Sequence, residues 1–291
     1  MLTYEECVPC FIKQIDEAAK LVSDDKKIQD EIIKDATSLL HNINFKMPPP
    51  QMAQNIYRMI EQKMGRQDPY LEIKKKSNAM AMSLYPRLKE KVKESQDYLL
   101  TALEIAISGN IIDYGAKNSL DIEKEIENLF EKDFSDKDKI VFQYEEFKGD
   151  LNKTDEILYL ADNAGEVVFD RVLIEELSKT KKIVYAVREK PIINDALKED
   201  ALECGIDKLA KVISSGSDAP GTILKECDPD FVEMFNQSKF IISKGQGNYE
   251  TLSDLKNESI YFLFKAKCPV VARNAKVSVG NIVLMKNIQQ G

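Results

Sequence analysis

Leu158-Tyr159-Leu160-Ala161-Asp162-Asn163-Ala164-Gly165-Glu166 decides the fold of this chain. An apolar run leads into a cluster of acidic, amide and small residues, and an amphipathic pattern over 166–178 follows. The order is strand, turn, helix. It recurs where Ile183-Val184-Tyr185-Ala186-Val187 leads through Arg188 to Ile192-Ile193-Asn194-Asp195, with a helical pattern over 195–204. A third apolar run, Phe240-Ile241-Ile242-Ser243, enters the compact loop Lys244-Gly245-Gln246-Gly247-Asn248. Strands alternating with helices predict an α/β fold on a mainly parallel sheet. Such a sheet gathers the carboxyl ends of its strands on one edge, where ligands bind. Carboxylates, carboxamides and an ammonium then converge on one spot, which reads as a site for a divalent metal and an anionic substrate.

Outward from these junctions, further strands are expected at 211–213, 259–264, 269–271 and 281–285, with a helical stretch near 230–236. The first half has a different texture. Apolar residues at three- and four-residue spacings predict helices over 7–21, 28–40, 52–63, 70–84 and 88–107. Met47-Pro48-Pro49-Pro50 reads as an extended interruption before a helix restarts at Gln51, and Asp68-Pro69-Tyr70 as an N-cap with proline at the first helical position. We therefore expect a helical domain over 1–140 packed on an α/β domain over 150–291, joined by the charged segment 133–150.

The composition narrows the function. A net charge of −8 argues against a general nucleic-acid binder, and no apolar run approaches the roughly 20 residues that span a bilayer. The start, Met-Leu-Thr-Tyr-Glu-Glu-Cys, lacks the basic and apolar regions of a secretory signal, so a cytoplasmic protein is expected. Five cysteines without such a signal do not suggest a disulfide framework. The single histidine, His41, excludes a multi-histidine zinc site within the chain, so a metal would be held mainly by oxygen.

Each polar cluster has a plainer alternative. Asp162 and Asn163 can both face a hard cation where the chain turns, or one of them can simply cap the next helix. Asp195 supplies a second carboxylate or caps its own helix, and Arg188 stands at the mouth of the same strand, where it could contact phosphate. Lys244 with Gly245 and Gly247 offers a point charge and close backbone approach, or an ordinary turn. The stretch Ser214-Ser215-Gly216-Ser217-Asp218-Ala219-Pro220-Gly221-Thr222 has hydroxyls suited to cradling phosphate, or is a polar loop. Cys7-Val8-Pro9-Cys10 could be redox-active or half of a zinc site, but no second pair stands at ribbon spacing and a structural role is favoured. Asn110 and Asp113 close a long helix with polar side chains that either cap it or reach across to the site.

Together these segments resemble the metal-dependent damage-control phosphatases, the family long catalogued as domain of unknown function 89, in its smaller prokaryotic branch. The resemblance rests on Glu6-Cys7-Val8-Pro9-Cys10-Phe11, Asp68-Pro69-Tyr70, Gly109-Asn110-Ile111-Ile112-Asp113, Asp162-Asn163-Ala164-Gly165-Glu166, Pro191-Ile192-Ile193-Asn194-Asp195, Gly216-Ser217-Asp218-Ala219-Pro220-Gly221-Thr222 and Lys244-Gly245-Gln246-Gly247-Asn248. It implies a divalent metal (manganese, nickel, cobalt or magnesium) held by Asp162, Asn163 and Asp195, with Lys244 on the substrate phosphate. Asp162, Asp195 and Lys244 are the expected catalytic residues. Asn110, Asp113, Glu166, Arg188, Ser215, Gly216, Gly245, Gly247 and Asn248 would line a pocket for a small phosphorylated metabolite such as a sugar phosphate. Either an activated water or an aspartate would attack, and the use of the aspartates as ligands favours water. The alternatives are a carboxyl methyltransferase, which some relatives have been described to be, a non-catalytic metabolite- or metal-binding protein, and a zinc-dependent interaction module built on Cys7 and Cys10. Oligomeric state is left open.

Overall fold

The structure, a computed structural model, describes residues 1–65, 68–109, 126–127, 129–130 and 134–288. Six strands form one sheet: β1 (Glu156–Leu160), β2 (Lys182–Val187), β3 (Lys211–Ser214), β4 (Ile241–Lys244), β5 (Ile260–Lys265) and β6 (Ile282–Lys286). Their order is β3-β2-β1-β4-β5-β6, with β1 to β5 parallel and β6 antiparallel to β5. The expected α/β class and mainly parallel sheet are therefore present. Strand order reverses between β1 and β4, and the crevice outside their carboxyl ends is where such sheets place ligands.

The alternation of side chains along the strands makes two apolar faces. Ile157, Tyr159, Tyr185 and Ile242 point to one face, covered by α4 (Leu71–Glu94), α5 (Tyr98–Ser108) and α7 (Glu166–Leu177). Leu158, Leu160 and Phe262 point to the other, covered by α9 (Pro229–Gln237), α10 (Gly245–Leu252) and α11 (Pro269–Ala275). A third cluster lies among α1 (Val8–Val22), α2 (Lys26–Leu40) and α3 (Pro49–Met64), and includes Tyr70 and Ile192. Two further α-helices among the described residues are α6 (Tyr144–Leu151) and the short α8 (Lys198–Glu203).

Several local expectations are corrected. The helix over 70–84 does not stop before Pro86 but continues through it to Glu94. The break falls instead at Asp97, whose side chain accepts the N–H of Leu100 as the N-cap of α5. Residues 269–271 open α11 rather than a strand, because Pro269 stands at its first position and the Cys268 sulfur accepts the N–H of Val271. Helix α3 begins at Pro49, so the triple-proline stretch is partly helical. Asp68 closes a turn ahead of α4, accepting from Tyr70 N at 2.9 Å, with the helix starting at Leu71. The expected loop after Lys244 is the start of α10. No helix among the described residues is long and apolar enough to cross a membrane.

Candidate active site

Beside the strand-order reversal, backbone pairing joins the loops that follow β1 and β2. Asn163 and Asp195 form an antiparallel bridge, Ala164 N donates to Asn194 O at 2.8 Å, and Ala196 N donates to Asp162 O at 2.8 Å. Asp162, Asn163 and Asp195 are thereby held side by side. Neither junction is a cap. Helix α7 starts after Gly165 and α8 after Leu197, and neither N-cap residue makes a side-chain capping bond. The capping alternatives fail at both positions.

Asp162 and Asp195 are buried, as is Glu166. The Asn163 amide nitrogen donates to Asp162 Oδ2 and to Glu166 Oε1, both at 3.0 Å. The amide oxygen, Oδ1, takes no part in these two bonds. Burial, then the neighbouring Glu166 and Asp195 carboxylates, push the Asp162 carboxyl well above the usual range. Asp195 is also raised by burial, although the Arg188 guanidinium opposes the shift. Crowded carboxylates of this kind leave a negative excess that a cation would relieve.

Gly245 is part of the same construction. It has φ +80°, and a Cβ there would lie 1.9 Å from Asp162 Oδ2. The tip of β4 therefore closes directly on the Asp162 carboxylate. Gly247 is required by a different neighbour, since its Cβ would meet the Pro220 carbonyl oxygen at 2.2 Å.

The chain matches the damage-control phosphatase ARMT1-like domain over residues 3–283. It belongs to that family. A damage-control phosphatase of Pyrococcus horikoshii is 37% identical over 97% of this chain and 97% of its own length. A damage-control phosphatase of Archaeoglobus fulgidus is 34% identical over 95% and 96% respectively. The crystal structure of a domain-of-unknown-function-89 protein from P. horikoshii superposes with a TM-score of 0.88 at 36% identity, covering 99% of this chain and all of that one.

Within this family member the other expected site residues are placed unevenly. Arg188 is buried and committed to the scaffold: Nε donates to Asp195 Oδ2 at 2.8 Å, and the guanidinium also reaches Thr222 Oγ1 and Asn248 Oδ1. Asn248 in turn donates to the carbonyls of Ala161 and Lys244, tying β1 to β4. Arg188 and Asn248 therefore fix Asp195 and the strand ends rather than present free groups to a substrate. The hydroxyls of Ser214, Ser215 and Ser217 accept N–H groups of their own loop two residues on. Gly216 is explained by Asp228, whose carboxylate a Cβ would strike at 2.4 Å. Asn110 and Asp113 lie outside the described residues. Gly109, just before them, packs against Phe169 and Glu166 of α7.

Lys244 departs furthest from expectation. Its side chain is 1% exposed, and the ammonium donates to Asp170 Oδ1 at 2.7 Å, with Glu166 Oε2 at 3.5 Å. Asp170 also accepts from Tyr159 OH at 2.8 Å and Tyr185 OH at 2.9 Å. The lysine thus neutralises a buried carboxylate beneath the site instead of extending toward a phosphate. Lys244→Met is expected to leave Asp170 uncompensated and to lower stability by about 3–5 kcal/mol. A chemical denaturation series checks this. The KM of the folded enzyme should stay within about threefold of wild type.

Three contributors had little or no signal in the sequence. Lys267 is exposed just past β5, and its charge reaches Asp162 and Glu250. The only hint was a lysine shortly after an apolar run. Asp170 sits within an amphipathic helix with nothing to mark it. Asn78, on the buried face of α4, accepts the Gly165 N–H at 2.7 Å and donates to Asp200 Oδ1 at 2.8 Å, so it holds the loop carrying Asp162 and Asn163.

The donor set fits a hard cation through two carboxylates and an amide oxygen, all oxygen atoms. It does so with few charges: among the described residues no group of three or more His, Cys, Asp or Glu side chains is arranged to hold a metal. The cysteines form no rival metal centre among the described residues: all five are free, and none belongs to a group of three or more side chains that could hold a metal.

Glu250, on α10, is pushed to about 7, chiefly by burial, against the lowering influence of Gln246, the N-terminal ammonium and Lys267. A raised carboxyl contributes stability that is present below its ordinary value of 4.5 and lost as pH rises through about 7. Glu250→Gln keeps the neutral form at every pH. It is expected to be more stable than wild type by about 1–3 kcal/mol at pH 8, with the gap closing toward pH 5. Paired thermal melts across that range test the sign.

Proposed function

We propose that the chain is a divalent-metal-dependent phosphomonoester hydrolase acting on small phosphorylated metabolites, sugar phosphates among them. The observation that supports this best is the convergence of Asp162, Asn163 and Asp195 at the strand-order reversal, with Gly245 closing on Asp162. The names of its relatives from P. horikoshii and A. fulgidus point to the same chemistry. Asp162, Asn163 Oδ1 and Asp195 would hold the cation. When bound, it supplies Lewis-acid neutralisation of the charge on the phosphoryl oxygens.

The chain's own groups divide the remaining work. The first N–H groups of α10, which have no partner within the helix, start beside Asp162 and would meet an anion bound there. Lys267 adds the exposed positive charge, which takes over the phosphate-gripping role expected of Lys244. Arg188 locks Asp195, and Asn78 locks the Asp162 loop, so the ligands are preorganised. With both aspartates serving as ligands and Asp195 bound to Arg188, neither is placed as a nucleophile, and water is the attacking group. Metal-stripped protein should release phosphate from a generic phosphomonoester only after manganese, nickel, cobalt or magnesium is restored. Full release in excess chelator would refute the metal-dependent reading.

A further inference from the structure

Helix α4 buries an uneven face. From its middle onward that face is apolar, with Ala81, Leu84, Leu88 and Val92, but its first turns bury Lys74, Ser77 and Asn78. Polar side chains are costly to bury unless they are partnered, and a buried ion pair often contributes no more to stability than apolar side chains of the same size. The polar end of the helix therefore calls for a reason beyond stability.

Its partners supply one. Lys74 is 2% exposed, and its ammonium lies 2.7 Å from Asp68 Oδ2 and 3.8 Å from Asp200 Oδ2. Asp200, on α8, is buried and accepts from Asn78 Nδ2 at 2.8 Å and from the Leu197 N–H at 2.9 Å. Asn78 Oδ1 accepts the Gly165 N–H at 2.7 Å. A path of hydrogen bonds thus runs from Gly165, just past Asn163, through Asn78 and Asp200 to Leu197, just past Asp195. The Ala196 N–H bond to Asp162 O closes that path into a ring. Helix α4 also touches the first loop directly, since a Cβ on Gly165 would lie 3.0 Å from Ser77 Cβ. Lys74 is the charge that keeps Asp200 in the ring. A buried carboxylate without a cation is expensive, so in the absence of this ammonium Asp200 would turn toward water and release Asn78 and Leu197 together.

We propose that Lys74 is a positioning residue: acting through Asp200 and Asn78, it holds the loops after β1 and β2 at the separation that lets Asp162, Asn163 and Asp195 share one cation. The cation rests on the phosphatase reading, whereas the pairing of the loops is a property of the chain alone.

Amide hydrogen exchange on metal-free protein reads that pairing without any ligand. In Lys74→Met the Ala164 and Ala196 N–H groups, which bridge the two loops, should exchange about tenfold faster or more, while the Tyr159 and Ile242 amides of β1 and β4 keep their wild-type rates. Manganese titration of the same protein should show affinity weakened about tenfold. Asp200→Ala, which leaves Lys74 paired with Asp68, should give both results if Lys74→Met folds poorly. No change at the two bridging amides, or a rise matched by the strand amides, would reduce Lys74 to a stability role and overturn the proposal. Faster exchange with wild-type manganese affinity would overturn it equally. If wild type binds no manganese, the metal reading itself fails, and the exchange rates alone decide whether Lys74 holds the loops.

Discussion

Asp162→Ala is expected to lower phosphate release by about three orders of magnitude or more with the fold retained. Asp162 stands at the end of β1 and supplies one of only two carboxylates in the proposed ligand set. Removing it leaves Asn163 and Asp195, too few oxygen donors to hold a hard cation in competition with water. The fold should tolerate the change: the Ala196 N–H bond to its carbonyl survives any side chain, and the side-chain bond from Asn163 Nδ2 comes from its own sequence neighbour. The side chain itself is repelled by Glu166 and Asp195. The metal-free variant should therefore melt at the wild-type temperature or slightly above it, the usual relation between a functional charge cluster and stability. Phosphate release and a thermal melt on the same preparation separate loss of chemistry from loss of fold.

Gly245→Ala should be nearly as damaging for a different reason. At φ +80° an alanine is strained, and its methyl carbon would sit 1.9 Å from Asp162 Oδ2. Both partners are backbone-fixed. Gly245 opens α10 directly after β4, and Asp162 is tied to Ala196, so the carboxylate must swing away or the helix must shift. We expect about a hundredfold loss in kcat, together with about 1–3 kcal/mol of lost stability. Metal titration should show weakened affinity. The comparison with Gly65→Ala is informative: that glycine also has positive φ, but nothing lies within 4 Å of its added carbon. Strain without misplacement of Asp162 should leave activity unchanged there.

These residues also show what could be read from the chain and what could not. The strands at 156–160, 182–187 and 241–244 announce themselves as β-branched and aromatic runs, because a strand buried on both faces needs apolar side chains throughout. From their order the common edge and the convergence of Asp162, Asn163 and Asp195 followed. Helix α10 was hidden because Gly245 and Gly247 are poor helix formers, present for close approach to Asp162 and Pro220 rather than for a turn. Pro86 misled in the opposite direction, since a proline within a helical pattern reads as a boundary, yet α4 runs through it. The lysines show the limit most clearly. Lys244 and Lys267 both follow apolar runs, and only three-dimensional packing shows that Asp170 claims the first while the second stays exposed. Asp170 and Asn78 act across 74 and 87 residues of sequence, a separation no local pattern records.

Calorimetric titration of metal-stripped wild type and Asp195→Asn with manganese, run beside a phosphate-release assay on the same samples, decides whether these residues hold a metal that catalysis needs. Wild type should show one tight site, Asp195→Asn a marked loss of that site, and phosphate release should rise with site occupancy. Phosphate release unchanged by chelation, or manganese binding undiminished in Asp195→Asn, would refute the proposed metal site.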